Sequence, residues 1–296
     1  MKALVLILLL VGSMALRSHS QISVEIQLDQ RQFLRNESLP VKVRLVNRSG
    51  QAVRLGDVPD WLSFSVETRD GKTINPVEPI LAGGNFDLES AESVTKQIDL
   101  ATGYDFSQPG SYRVTALARF PKLNFSTTSS TQPFDIVRGS QLWTEVCGVP
   151  VTSGPPRWIT YSLLQANHVK QLRLYVRVAD EPEGPFVRVI PLGQVVAFAK
   201  PEQMIDRSSS LHVLYQTGPR SFEYCEVAPN GTLTQRTSYS LTAYRPRLAM
   251  DETGKISVKG GASQAIPAWK TNLPPILKAT NSEPASKGPE PKSKSK

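Results

Sequence analysis

The chain has 296 residues, 40% hydrophobic and 20% charged, which is enough apolar material for two domains of ordinary size. The formal charge of +8 is mostly a property of the ends: Lys2 and Arg17 in front and five Lys against two Glu over 278–296, so that the middle lies near +3 and offers no basic surface for nucleic acid. Only one long apolar run exists, which excludes a polytopic membrane protein. That run comes first. Lys2 is followed by fourteen uncharged residues, Ala3 to Leu16, fewer than the roughly 18–20 a helix needs to cross a bilayer. A basic start, a short apolar stretch and Ser18-His19-Ser20 predict a signal peptide over 1–20, with Ser13-Met14-Ala15 as an earlier cleavage site. An uncleaved anchor is the alternative. Export places the mature chain in the periplasm or outside the cell, without a transmembrane segment. In that redox setting Cys147 and Cys225 read as one disulfide rather than as two buried free thiols.

From 21 to 139 the hydrophobic period is two. Ile22, Val24, Ile26 and Leu28 alternate with polar residues, as do Val41, Val43 and Leu45, then Leu62, Phe64 and Val66. Val94, Ile98 and Leu100 continue the pattern, followed by Tyr112, Val114, Ala116, Ala118 and Phe120, and by Phe134 with Ile136. Turn residues separate the runs: Asn47-Arg48-Ser49-Gly50, Asp70-Gly71, Gly83-Gly84-Asn85, Pro109-Gly110. Short one-faced strands of this kind predict an antiparallel two-sheet sandwich.

The stretch Asp105-Phe106-Ser107-Gln108-Pro109-Gly110-Ser111-Tyr112-Arg113-Val114 resembles the entry to strand F of immunoglobulin-like domains. The resemblance implies that Gly110 allows a tight turn, that the Tyr112 hydroxyl bonds upstream backbone, and that Trp61 is the core aromatic of strand C. Val114 stands where antibody domains carry Cys, so no inter-sheet bridge is implied. The segment is also similar to small bacterial proteinase inhibitors of sandwich type, without a motif that marks an inhibitory loop.

Over 140–273 the strand pattern resumes as a second antiparallel β domain. Trp158 to Leu164, Gln171 to Val178 and Phe186 to Ile190 are followed by a similar order at Leu211 to Tyr215 and Phe222 to Val227, with a fainter third copy over 247–258. The spacing resembles β-propeller blades. Three units are too few to close a propeller, so stacked hairpins or blade-like sheets are expected. Residues 274–296, rich in Pro, Ser, Lys and Glu, predict a disordered tail that solubilises the chain.

Chemistry is scarce. After cleavage only His168, in a loop-like setting, and His212, inside a strand, remain. Neither neighbours a nucleophile motif, no phosphate-binding glycine loop occurs, and no metal or cofactor is expected. Asp180-Glu181 reads as a solvated hairpin tip. Four Asn-x-Ser/Thr triplets, at Asn36, Asn47, Asn124 and Asn230, match the glycosylation pattern by composition. The reading is a non-enzymatic exported binding or scaffold protein of the cell envelope or extracellular space, whose partner is an envelope protein or glycan. Its contact surface would be sandwich-end loops such as 75–85, with Arg35, Trp61, Trp143 and Trp158 as candidate contacts. The alternatives are a sandwich-type proteinase inhibitor and a hydrolase with a scattered site.

Overall fold

The computed structural model describes residues 22–151, 154–168, 171–181 and 187–264. The expected signal segment 1–20 and tail 274–296 lie outside the described residues. The chain is all-β with several sheets, and its helical content among the described residues is two short 3-10 turns, Leu100–Thr102 and Pro121–Leu123. No helix there is long and apolar enough to cross a membrane.

Two sheets enclose the first core. The smaller orders β1 (Ile22–Leu28), β3 (Pro40–Asn47) and β8 (Ser93–Asp99) side by side. The larger orders β2 (Gln32–Leu34), β11 (Gln132–Val137), β9 (Gly110–Phe120), β5 (Leu62–Thr68) and β6 (Thr73–Ile74), with β10 (Phe125–Thr128) against β9. A two-stranded ribbon, β4 (Val53–Leu55) with β7 (Phe86–Leu88), forms its own small sheet and packs Val53, Leu55 and Leu88 into the same core. Alternation fixes which face turns inward. Val41, Val43 and Leu45 of β3 and Val114, Ala116 and Ala118 of β9 are fully buried in one cluster with Trp61, Phe33 and Phe134. Burying a Val, Leu or Phe side chain contributes about 1.5–3 kcal/mol, so a slip of one residue would expose the whole set and is strongly disfavoured. Between β1 and β2 the chain changes sheets: β1 pairs antiparallel with β3, and β2 pairs parallel with β11.

A four-stranded meander follows: β12 (Ser140–Val149), β13 (Arg157–His168), β14 (Gln171–Asp180) and β15 (Val187–Gln194). The sequence suggested a domain boundary at 139/140, but the compact first unit extends to Ala197 and the second begins at Phe198. The reason is a shared seam. Leu34 and Val137 of the large sheet pack with Leu164, Ala166, Tyr175 and Val189 of the meander. A parallel backbone bridge joins Glu37 to Val189. Gly139 lies so close to Leu34 and Leu164 that a Cβ there would stand 2.9 Å from a Leu34 methyl.

The second unit holds a five-stranded sheet, β16 (Glu202–Ile205), β17 (Leu211–Gly218), β18 (Ser221–Val227), β19 (Leu233–Ser240) and, at its edge, β22 (Ala262–Gln264). The fainter third copy read from the sequence is a hairpin, β20 (Arg247–Met250) with β21 (Ile256–Lys259). Its Leu248 and Ile256 pack on Leu214, Phe222 and Tyr224. The similar stretches at 158–190 and 211–227 are thus parts of two separate meanders.

Candidate functional site

The loop from Asn75 to Asn85 runs between β6 and β7 with no strand of its own. Two glycines hold it. The Gly103 carbonyl accepts from Val77 N at 2.7 Å; a Cβ on Gly103 would stand 2.4 Å from Ile80 Cγ1 and 2.9 Å from the Glu78 carbonyl, so only glycine allows the loop this close. At the other end Gly56, at φ +87°, comes so near that a Cβ would lie 2.7 Å from the Gly84 oxygen. The Asn85 amide also donates to Asp57, whose carboxylate Lys122 and Arg54 hold below the usual range. Pinned in this way, the loop presents Val77 and Leu81, each 72% exposed.

Beside it opens a cleft of 290 Å³ lined by Asn36-Glu37, Val77-Glu78 and the stretch from Ala101 to Phe106. The lining carries three acids, Glu37, Glu78 and Asp105, and no base. Tyr104 fixes the floor by donating to the Phe64 carbonyl, and Asp105 caps its own turn through Ser107. Asn36 sits at φ 61°, a left-handed conformation that Asn tolerates better than most residues, and this turns Glu37 back under the sandwich.

Glu37 is 4% exposed. Its two carboxyl oxygens accept from Leu34 N at 2.7 Å and from Gln30 Nε2 at 3.0 Å. The Gln30 oxygen in turn accepts from Arg173 Nη1 at 2.5 Å, so an amide separates carboxyl and guanidinium. Burial pushes the Glu37 carboxyl up to about 7 against the pull of those donors and of Arg173. Next to Arg173, Tyr175 pairs with His168 Nε2 at 2.5 Å. Burial drives the tyrosine above its ordinary value and, with Arg173, holds the 8%-exposed histidine down to about 4. His168 was read as a loop residue; β13 runs through it, because the hairpin with β14 extends to the His168–Gln171 pair. No sequence signal marked Glu37, Gln30 or Arg173, which meet only through folding.

Alternation along the strand predicts that His212 lies on the face opposite Leu211 and Val213. Both faces of β17 are covered, and His212 is buried between Tyr224 Oη at 2.7 Å and Asp206 at 3.2 Å. Asp206 also receives Ser208 N and Ser210 N, so this chain ties a turn to the sheet. Glu181 is exposed, as expected of a solvated tip, and accepts from the Thr160 hydroxyl, whereas Asp180 is half-buried and pairs with Arg157. Among the described residues no group of three His, Cys, Asp or Glu could hold a metal. The expected Cys147–Cys225 bridge is not formed; both are free thiols. They belong to different units, and Cys225 is fully buried in the second, with burial pushing its thiol up; burial and Glu145 do the same to Cys147.

Tyr112 donates to the carbonyl of Gln108, four residues upstream, at 2.6 Å. Gly110 is not a tight-turn residue; it opens β9 opposite Ile136 with room for a Cβ beside Tyr112, so nothing there requires glycine. Trp61 is buried at the head of β5, edge-on to Phe86, and cannot be a contact residue. Arg35 is exposed, Trp143 is half-buried and Trp158 is 52% exposed. Of the glycosylation triplets, Asn47 is fully buried and cannot carry a glycan.

No family model matches the chain, and no curated protein does. Among solved structures the chain is similar to Spo0M, the sporulation control protein from Bacillus subtilis, at 8% identity and a TM-score of 0.31, over 60% of this chain and 91% of that one. A likeness that coarse adds nothing to the architecture described above.

Proposed function

We propose that this chain is an exported, non-enzymatic binding protein of the cell envelope or extracellular space. In this reading an immunoglobulin-like sandwich presents a stiff recognition loop over 75–85, and the second half supplies blade-like β meanders. The strand orders support the sandwich reading: β1-β3-β8 against β2-β11-β9-β5-β6, with the first strand split between sheets and a tyrosine tied to backbone before the core position. The observation that carries the function is the loop itself. Two side chains as apolar as Val77 and Leu81, held out by glycine contacts at both loop ends, would be a liability unless something covers them. The neighbouring acidic lining favours a partner that brings an amine or guanidinium to the cleft. Capture from envelope extract tests this. The wild-type chain should retain one partner that a Val77→Asp/Leu81→Asp double variant loses. Equal retention by both removes the loop from the function.

A second reading, proteinase inhibition, is favoured by the same loop, because a strand-free segment with an exposed Leu81 has the form a protease cleft accepts. Titrating a panel of serine, cysteine and metalloproteases separates the two. Stoichiometric inhibition without cleavage at the loop establishes it, and turnover of the loop as a substrate eliminates it.

A further inference from the structure

The second unit carries a charged surface that the reading above does not use. It lies where the loop 241–246 joins β19 to β20, and Tyr244 is 78% exposed there. Arg220, in the β17–β18 turn, is tied to the start of this loop. Its carbonyl accepts from Leu241 N at 2.8 Å, and its guanidinium donates to the Leu241 carbonyl at 3.2 Å. Arg245 holds its guanidinium 5.1 Å from the centre of the Phe222 ring, two residues beyond Arg220. Arg247 and Lys259 stand opposite each other in the β20–β21 ladder, so both side chains leave the same face. All four cations are exposed. Glu202 pairs with Arg247 at 3.2 Å. Among the described residues no carboxylate pairs with Arg220, Arg245 or Lys259.

Two glycines fix this corner. Gly260 and Gly261 take left-handed backbone, at φ +78° and +68°, which glycine adopts without strain. A Cβ on Gly260 would stand 2.8 Å from the Arg245 carbonyl oxygen, and one on Gly261 would stand 2.5 Å from Pro246 Cγ. Gly261 N donates to the Tyr244 carbonyl at 3.0 Å, and the Thr242 hydroxyl donates to the same oxygen at 3.3 Å. The backbone under Tyr244 is thus set before a ligand arrives, which lowers the ordering cost of binding.

We propose that this corner binds an acidic polysaccharide, whose uronic acid carboxylates meet the cations while a sugar ring lies on Tyr244. Charge complementarity gives the class. Four cations with one acid among them attract a polyanion, and an exposed guanidinium takes a planar carboxylate through two parallel N–H groups. The aromatic ring gives the choice among polyanions. The C–H face of a pyranose is flat and apolar enough to cover an exposed tyrosine ring. An acidic peptide brings its carboxylates on flexible stems, and polyphosphate brings no apolar face. This site is independent of the loop 75–85, so either can fail without the other.

Calorimetric titration of the full chain with polygalacturonate tests the assignment, beside polyglutamate, polyphosphate and oligothymidylate at matched charge and neutral dextran. Wild type should bind polygalacturonate about tenfold more tightly than the other polyanions and should not bind dextran. Tyr244→Ala should lose about tenfold for polygalacturonate and leave polyglutamate unchanged, whereas Tyr244→Phe should bind like wild type. Arg245→Gln and Lys259→Gln should each lose about threefold, and less at high salt. Exchanging Lys292, Lys294 and Lys296 for Gln should leave the preference for polygalacturonate in place. The substituted side chains of the corner are exposed, so an unchanged urea midpoint verifies the fold of each variant. Absent binding of polygalacturonate, equal affinity for all the polyanions, or tighter binding of oligothymidylate overturns the proposal. So does a Tyr244→Ala variant that binds polygalacturonate like wild type, or a preference that the terminal lysine exchanges abolish.

Discussion

Replacing Asn47 should cost the first unit more stability than any single polar residue of its exposed turns. Asn47 closes β3 with its side chain fully buried. Its amide donates to the carbonyls of Gln51 at 2.7 Å and Leu88 at 2.8 Å, and its oxygen accepts from Ser49 N at 3.0 Å and Ser49 Oγ at 2.7 Å. One side chain thereby joins the β3 turn to β7. In Asn47→Ala the Ser49 and Gln51 groups can turn to water and cost about 0.5 kcal/mol each, whereas the buried Leu88 carbonyl loses a donor that water replaces poorly, at about 1–3 kcal/mol. With the small void left behind, the loss should be about 3 kcal/mol. Asn47→Asp is nearly isosteric but points a carboxylate at two carbonyl oxygens, so it should be worse than Ala near neutral pH. Its carboxyl pKa would be raised, so its stability should recover as pH falls and the group gains a proton to donate. Urea unfolding of the first unit, followed by tryptophan fluorescence across pH, measures both variants. A loss under about 1 kcal/mol for Ala, or an Asp variant milder than Ala, would refute the view that this side chain braces the two elements.

Tyr112→Phe keeps the ring stacked on Phe134 and removes only the bond to Gln108, so it should cost about 1 kcal/mol in urea unfolding, against several for Tyr112→Ala. Gly103→Ala should displace Ile80 and the Glu78 carbonyl, costing about 1–3 kcal/mol and making the Glu78 bond a faster target for a glutamate-specific protease than in wild type. An alkylating reagent applied to the native chain without reductant should label Cys147 and spare Cys225 until the second unit unfolds; protection of both thiols in unfolded, unreduced chain would show a bridge instead.

What was legible in the sequence follows from the range over which each feature is determined. The strands of 22–137 alternate because each sheet has one buried face, and that pattern is written residue by residue, as in Val41-Lys42-Val43. The Tyr112 bond spans four residues and could be anticipated from Gln108-Pro109-Gly110-Ser111-Tyr112. The seam could not. Gln30 and Arg173 are 143 positions apart, and the burial of Glu37 is decided by the docking of β14 and β15, not by its neighbours Asn36 and Ser38. Gly103 has an ordinary negative φ, so no turn signature betrays that the loop needs its missing Cβ. The disulfide was inferred from compartment alone; compartment says what thiols can do chemically and nothing about which sulfur atoms a fold brings together. His212 shows a related limit. Alternation assigns a residue to a face, but it does not reveal that both faces are covered.

The parallel pairing of β2 with β11 has a consequence for how the molecule is made. Phe33 finds its partner only at Ile136, about a hundred residues later, so a nascent polypeptide delivered from its amino end must hold Gln32–Leu34 unsatisfied until nearly the whole sandwich has emerged. Shortened products ending before Gln132 would keep an open margin on the large sheet and a ready template for sticking to one another. Synthesis speed and chaperone supply, rather than final stability, would then govern how much usable product a cell obtains.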